Sequence, residues 1–204
     1  MDDLNKALGD ISSIRRQMAR STEFRGYGPA TLASTGFIAI VAAVAQQIWL
    51  TDPARHVLVY LGIWFTTAAL SAGIIGTQMV TRAYRVHSGM ADEMIHMAVE
   101  QFLPSMGAGG LVSLVLVNRA PGVAWMLPSL WLVTFSLGVF ASCRFLPRLM
   151  VLAGVWYLAM GLITLGLGDA RSLAPWTMGL SYGAGQLLVA AILALSTKEN
   201  RDER

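Results

Sequence analysis

This sequence predicts an all-α, polytopic membrane bundle of six transmembrane helices arranged as three hairpins, with an amphipathic cytoplasmic helix in front. Three observations predict it. The 204 residues are 55% hydrophobic and only 13% charged, with a mean hydropathy of +0.56, whereas soluble domains carry about 25% charged residues. Six apolar segments follow one another, at about 30–50, 57–80, 98–118, 124–143, 147–168 and 175–196. Each is long enough to cross a hydrocarbon layer of about 30 Å at about 1.5 Å per residue. The charges fall almost wholly at the two ends and in alternate links.

That distribution decides the class of partner. A net charge of +3 and a pI near 9.4 are compatible with nucleic acid, but the basic residues occupy short inter-helix segments, where they set topology rather than bind phosphate. No nucleic acid is expected. A single cysteine, Cys143, excludes an internal disulfide.

The first 25 residues form the cytoplasmic element. Leu4, Ala7, Ile11, Ile14 and Met18 recur at spacings of three and four, so a helix over 2–20 carries one apolar stripe. Arg15, Arg16, Arg20 and Arg25 follow it and suit anionic headgroups. Such a helix lies on the membrane lipid or on the bundle; its alternative is to dock a cytoplasmic protein partner through residues 2–20. "AVA" at 43–45 imitates a signal-peptidase site, but a long polar stretch precedes the apolar run, which continues to Leu50. It is expected to be an uncleaved first span.

The membrane domain, 26–196, then alternates. Of the 15 Lys and Arg, all but Arg55, Arg119 and Arg171 fall on one side of the predicted membrane. The positive-inside rule puts that side, both termini and the charged tail 197–204 in the cytoplasm. Trp49, Trp125 and Trp176 mark the outer ends of spans, where amphipathic rings prefer to lie. "EFRGYGPATLASTG" (23–36), "QFLPSMGAGG" (101–110) and "RFLPRLMVLAG" (144–154) each open a span with Phe, then proline, then glycine six or seven positions on. This repetition suggests three related hairpins. Gly107, Gly109 and Gly110 crowd the third span, and Gly179 and Gly183 form a GxxxG in the sixth. These small faces suit close helix packing and a homodimer.

"HSGMADEMIHMAVEQFLP" (87–104) holds the polar residues most suggestive of chemistry. On a helix beginning near Ser88, His96 lies about 60° and Glu100 about 20° from Glu93, so the three share a face. Carboxylate, imidazole and carboxylate can bind a divalent transition metal; di-iron bundles use Glu-x-x-His, but with a second such helix, which this chain lacks. A competing reading needs no metal. Glu100 sits at the depth of Arg82, Arg85, Arg144 and Arg148, and an ionic network with them lowers a carboxylate cost of about 2.5–3.5 kcal/mol at mid-membrane. The ionic network is favoured.

Deeper in the spans the polar residues are Thr67, Ser136, Tyr157, Tyr182 and Gln186, from four different segments. They are the candidate ligand-binding set. Gln186 is the most informative, since a mid-span amide wants a partner. There is no GxSG, HExxH or phosphate-binding glycine loop, and no catalytic residue is assigned. Arg144 next to Cys143 is a neighbour that lowers a thiol pKa, although a solitary thiol at a helix end more often packs.

"STEFRGYGPATLAS" and "FASCRFLPR" resemble segments of an uncharacterised family of six-span bacterial inner-membrane proteins. The resemblance covers much of the chain and implies the compartment, with no activity attached. The leading expectation is a non-enzymatic membrane protein that binds a small or lipid-like ligand within the bundle, as carrier, transporter or sensor. The alternatives are a metal-dependent membrane enzyme using Glu93, His96 and Glu100, and a docking scaffold on the cytoplasmic face.

Overall fold

The computed structural model describes residues 26–86 and 91–202. The expected helix over 2–20 and the cap at Ser88 lie outside the described residues. Among the described residues are six α-helices and no strand: α1 Pro29–Trp49, α2 Val57–Val86, α3 Ala91–Arg119, α4 Leu127–Ser142, α5 Met150–Gly166 and α6 Pro175–Asp202. Short 3-10 turns, Pro121–Met126 and Ala170–Leu173, lead into α4 and α6. Five helical stretches are long and apolar enough to cross a membrane: α1, α2, α3, α6, and α4 together with the turn before it. That is the pattern of a multi-pass membrane protein.

The exception is α5. Its 17 residues span about 25 Å, shorter than the segment 147–168 expected to cross. Pro147 stands before it in a turn, and Gly168 past its end adopts a left-handed φ of +70°, the conformation that stops helices. Prolines also open other helices: Pro29 occupies the first turn of α1 and Pro128 that of α4, where a missing N–H costs nothing. The α1 entry is completed from another helix, because the Gly28 N–H donates to Gln78 Oε1 of α2 at 3.0 Å. α3 begins well before residue 98, so the acidic stretch and the span form one helix with Pro104 inside it.

Each helix touches its neighbours in the chain, and α6 returns to α1 to close the ring. The most extensive interfaces are α1–α6 and α4–α5, which join helices of different expected hairpins. Small residues explain both. A Cβ on Gly36 would lie 2.9 Å from the Gly183 carbonyl oxygen, and one on Gly179 would collide with that of Ala43. In α5, Gly154 sits under the Phe140 ring and Gly161 lies against Val133 and the Ser129 carbonyl of α4. Such approaches gain the dispersion energy on which helices in lipid depend. Gly179 and Gly183 are therefore used within the chain, while Gly107 and Gly110 face open space.

Indole N–H groups tie the helices polar atom to polar atom. Trp64 Nε1 on α2 donates to Gln46 Oε1 on α1 at 2.8 Å, and Trp131 Nε1 on α4 donates to Ser113 Oγ on α3 at 2.7 Å. Trp156 Nε1 on α5 donates to the Ser181 carbonyl on α6 at 2.9 Å. Gln46 is fully buried and also donates through Nε2 to the Leu173 carbonyl at 2.8 Å, so one carboxamide binds α1, α2 and the turn before α6.

Two predictions follow from this packing. Gly179→Ala should cost about 1–3 kcal/mol by overpacking, whereas Gly73→Ala, where a Cβ meets nothing within 4 Å, should leave the thermal midpoint in detergent unchanged or slightly raised. Gln46→Leu should strand the Trp64 N–H and the Leu173 carbonyl and cost about 1–3 kcal/mol for each group left unpaired. Thermal unfolding of the three variants beside the parent checks both.

Candidate functional site

The candidate site lies where α4, α5 and α6 converge. Small residues on α6 make room for it: Gly185 faces Tyr157 of α5 so closely that any Cβ there would meet the phenol ring. Tyr157 is fully buried, and its ring centroid lies 5.5 Å from that of Tyr182 on α6. Phe135 of α4 completes the group, 4.7 Å from Tyr157 and 5.2 Å from Tyr182, both edge to face. Phe102 of α3 extends it, 5.0 Å from Phe135. Gln186, one turn beyond Tyr182, is buried, with its Cβ close against Gly36 of α1.

Of the five expected ligand residues, the fold thus gathers Tyr157 and Tyr182 and sets Gln186 beside them on α6. Ser136 is buried on α4 next to Phe135, but its hydroxyl is spent on the Val133 carbonyl of its own helix at 2.7 Å. Thr67 donates to the Ile63 carbonyl at 2.8 Å, and its helix packs on α1 and α3 rather than on α5.

Two further buried hydroxyls escaped sequence reasoning. Tyr60 on α2 and Ser129 on α4 are fully buried, and Tyr60 stacks on Trp131 with centroids 6.2 Å apart. Tyr60 OH, Ser129 Oγ, Tyr157 OH and Gln186 Oε1 are buried and have no hydrogen-bond partner among the described residues. Tyr60 and Ser129 were passed over because they stand near the ends of their segments. Counting every hydroxyl in a span, whatever its depth, would have included them.

The acidic stretch forms no comparable site. His96 Nε2 and Glu100 Oε1 meet at 3.1 Å, with side chains 73% and 58% exposed. Glu93 is half-buried and stays apart; no group of three or more His, Cys, Asp or Glu fit to hold a metal exists among the described residues. On one helix, Glu93 and Glu100 are separated by about 10 Å along the axis, so a shared face is not a shared ion. Among the described residues, the ion pair at Glu100 is the one with His96. Arg85, Arg144 and Arg148 are exposed, and Arg82 is half-buried. Nearby, the Tyr84 hydroxyl donates to Asp92, linking α2 to α3.

A cavity of about 10 Å³ between Tyr27, Met94, Gln101, Ser142 and Leu146 holds about one water. Burial pushes the neighbouring Tyr27 phenol up to about 12. Cys143, in the turn after α4, donates to the Val139 carbonyl at 3.3 Å, and burial raises its pKa. Desolvation outweighs the expected pull of Arg144, whose side chain is exposed.

Since the thiolate is the reactive form, a raised pKa leaves less of it at neutral pH. Cys143 should therefore react with a maleimide more slowly at pH 7 than a short thiol peptide does, speed up above pH 9, and keep its rate in Arg144→Ala. Alkylation time courses read by intact mass check this.

Comparison with known protein families, with curated proteins and with solved structures finds no match, so the functional reading rests on the geometry of the bundle itself.

Proposed function

We propose that this chain is a six-span protein of the bacterial inner membrane that binds a small or lipid-like ligand within its helical bundle, as a carrier or sensor rather than an enzyme. One observation carries the reading: four fully or nearly fully buried polar side-chain atoms, Tyr60 OH, Ser129 Oγ, Tyr157 OH and Gln186 Oε1, lack partners. Each such group costs about 1–3 kcal/mol when left unpaired. Elsewhere in the spans the chain satisfies its hydroxyls thriftily, with Thr67, Thr77, Thr134, Ser136 and Ser142 all bonding to carbonyls of their own helices. The four exceptions are all buried, and a ligand that reaches them supplies what they lack. Hydroxyls and a carboxamide are binding groups, which favours recognition over catalysis.

The orientation belongs to the same proposal. Arg82, Arg85, Arg144, Arg148 and Lys198 belong to the links and the tail that the alternation of spans assigns to one side, and Arg55, Arg119 and Arg171 to the other. The positive-inside rule makes the richer side cytoplasmic. Counting α5, the fifth in order, brings the total to six spans; a short hydrophobic helix is accommodated by local thinning of the bilayer.

Tyr157→Phe separates this reading from a purely structural one. Removing an unpaired buried hydroxyl should raise the thermal midpoint of ligand-free protein, a gain of about 1 kcal/mol, and cut by at least half the stabilisation given by a hit from a lipid and metabolite screen. Gln186→Met should cut the response likewise. A fall in midpoint for Tyr157→Phe, or a screen in which nothing stabilises the parent, would count against the proposal.

A further inference from the structure

Resting on that reading of Tyr157 and Gln186, we propose that the ligand is an uncharged amphiphile whose headgroup offers both a hydroxyl and a carbonyl, as a monoacylglycerol does. Charge argues first. Among the described residues the buried polar groups belong to Ser, Thr, Gln, Tyr and Trp side chains, and no charged side chain is buried. A net charge brought into that interior would meet no counter-charge and would lose its hydration.

Hydrogen-bond chemistry argues next. Gln186 Oε1 is an acceptor only, so it calls for a donor on the ligand. The Tyr157, Tyr60 and Ser129 hydroxyls can donate and so suit a carbonyl. A cation held on ring faces fits poorly, because the rings already cover one another. Phe102, Phe135 and Tyr157 run edge to face, with interplanar angles of 84° and 65°, and Tyr182 meets Phe135 at 77°.

The route of entry argues for a tail. α2 and α3 are the helices least covered by the rest of the chain, with 17% and 11% of their apolar windows buried against 39–44% in the other three stretches. An open groove of about 580 Å³ runs along α2 past Thr66, Leu70 and Gly73. From α3, Phe102 begins the ring series that ends on Tyr157. The bundle is thus barest on α2 and α3, the helices that carry Tyr60 and Phe102, which makes this flank the proposed side of entry for a molecule dissolved in the bilayer.

The test measures the thermal midpoint of the full chain in detergent with four probes: monooleoylglycerol, oleate, oleoylcholine and glycerol. The first three share a chain and differ in headgroup charge; the fourth is the headgroup without a tail. Monooleoylglycerol should raise the midpoint saturably, the other three should not, and the shift should fall by at least half in Tyr157→Phe and in Gln186→Met. If oleate or oleoylcholine shifts the parent and loses that shift in both variants, the site stands and the uncharged class is wrong. A shift with glycerol alone replaces the amphiphile with a soluble polyol. If monooleoylglycerol shifts parent and variants equally, it binds elsewhere and the inference fails. If no probe acts, the inference fails too, and the ligand-free midpoint of Tyr157→Phe decides the underlying reading: a rise keeps the unpaired hydroxyl, a fall removes it.

Discussion

The close approach of α1 and α6 is the constraint on which the rest depends. Gly36, Gly179 and Gly183 bring the first and last described helices so near that backbone carbonyls replace side chains at the crossing. Water contributes little to helix association inside lipid, so dispersion over such a surface must hold the ring shut. The closed ring in turn fixes where α6 presents Tyr182, Gly185 and Gln186, and Gly185 lets Tyr157 settle against it. The same closure brings the turn Ala170–Leu173 over the end of α1, where Gln46 can hold the Leu173 carbonyl.

Two kinds of polar group share this interior, and they obey different logic. Gln46, Trp64, Ser113 and Trp131 are fully engaged side chain to side chain or to backbone, which makes them joints. Tyr60, Ser129, Tyr157 and Gln186 are equally buried but keep an atom unpaired. A low-dielectric interior rewards the first kind and penalises the second. Stability alone would favour phenylalanine at 157; under the proposed function the retained hydroxyl serves recognition.

Much of the architecture was legible in the amino-acid order, because hydropathy and length report spans directly. α1, α2 and α6 begin within a residue of their apolar segments. α5 is shorter than its segment because apolarity does not stop at Pro147 or Gly168, whereas the backbone does. Helical periodicity placed His96 beside Glu100 correctly, and the same spacing sets Glu93 two turns away from Glu100, too far along the axis for one ion. Which helices pair was hidden: GxxxG at 179–183 announces a close partner without naming α1. The role of Gln46 was hidden for the same reason, since its position near the end of a span says nothing of the turn that folds over it. Tyr157 and Tyr182 were visible as mid-span phenols, while the burial of Tyr60 and Ser129 without partners shows only in the folded chain.

Ring closure through the termini of the membrane domain has a consequence for biogenesis. Spans enter the bilayer in order of synthesis, yet α1 finds its main partner only when α6 arrives, more than 120 residues later. Until then its glycine face meets lipid, and its first N–H waits for Gln78 of α2. Contacts so distant along the chain form late and slowly. The first helix is therefore provisional throughout translation, and a chain interrupted before α6 exposes just the surface that membrane quality control would meet.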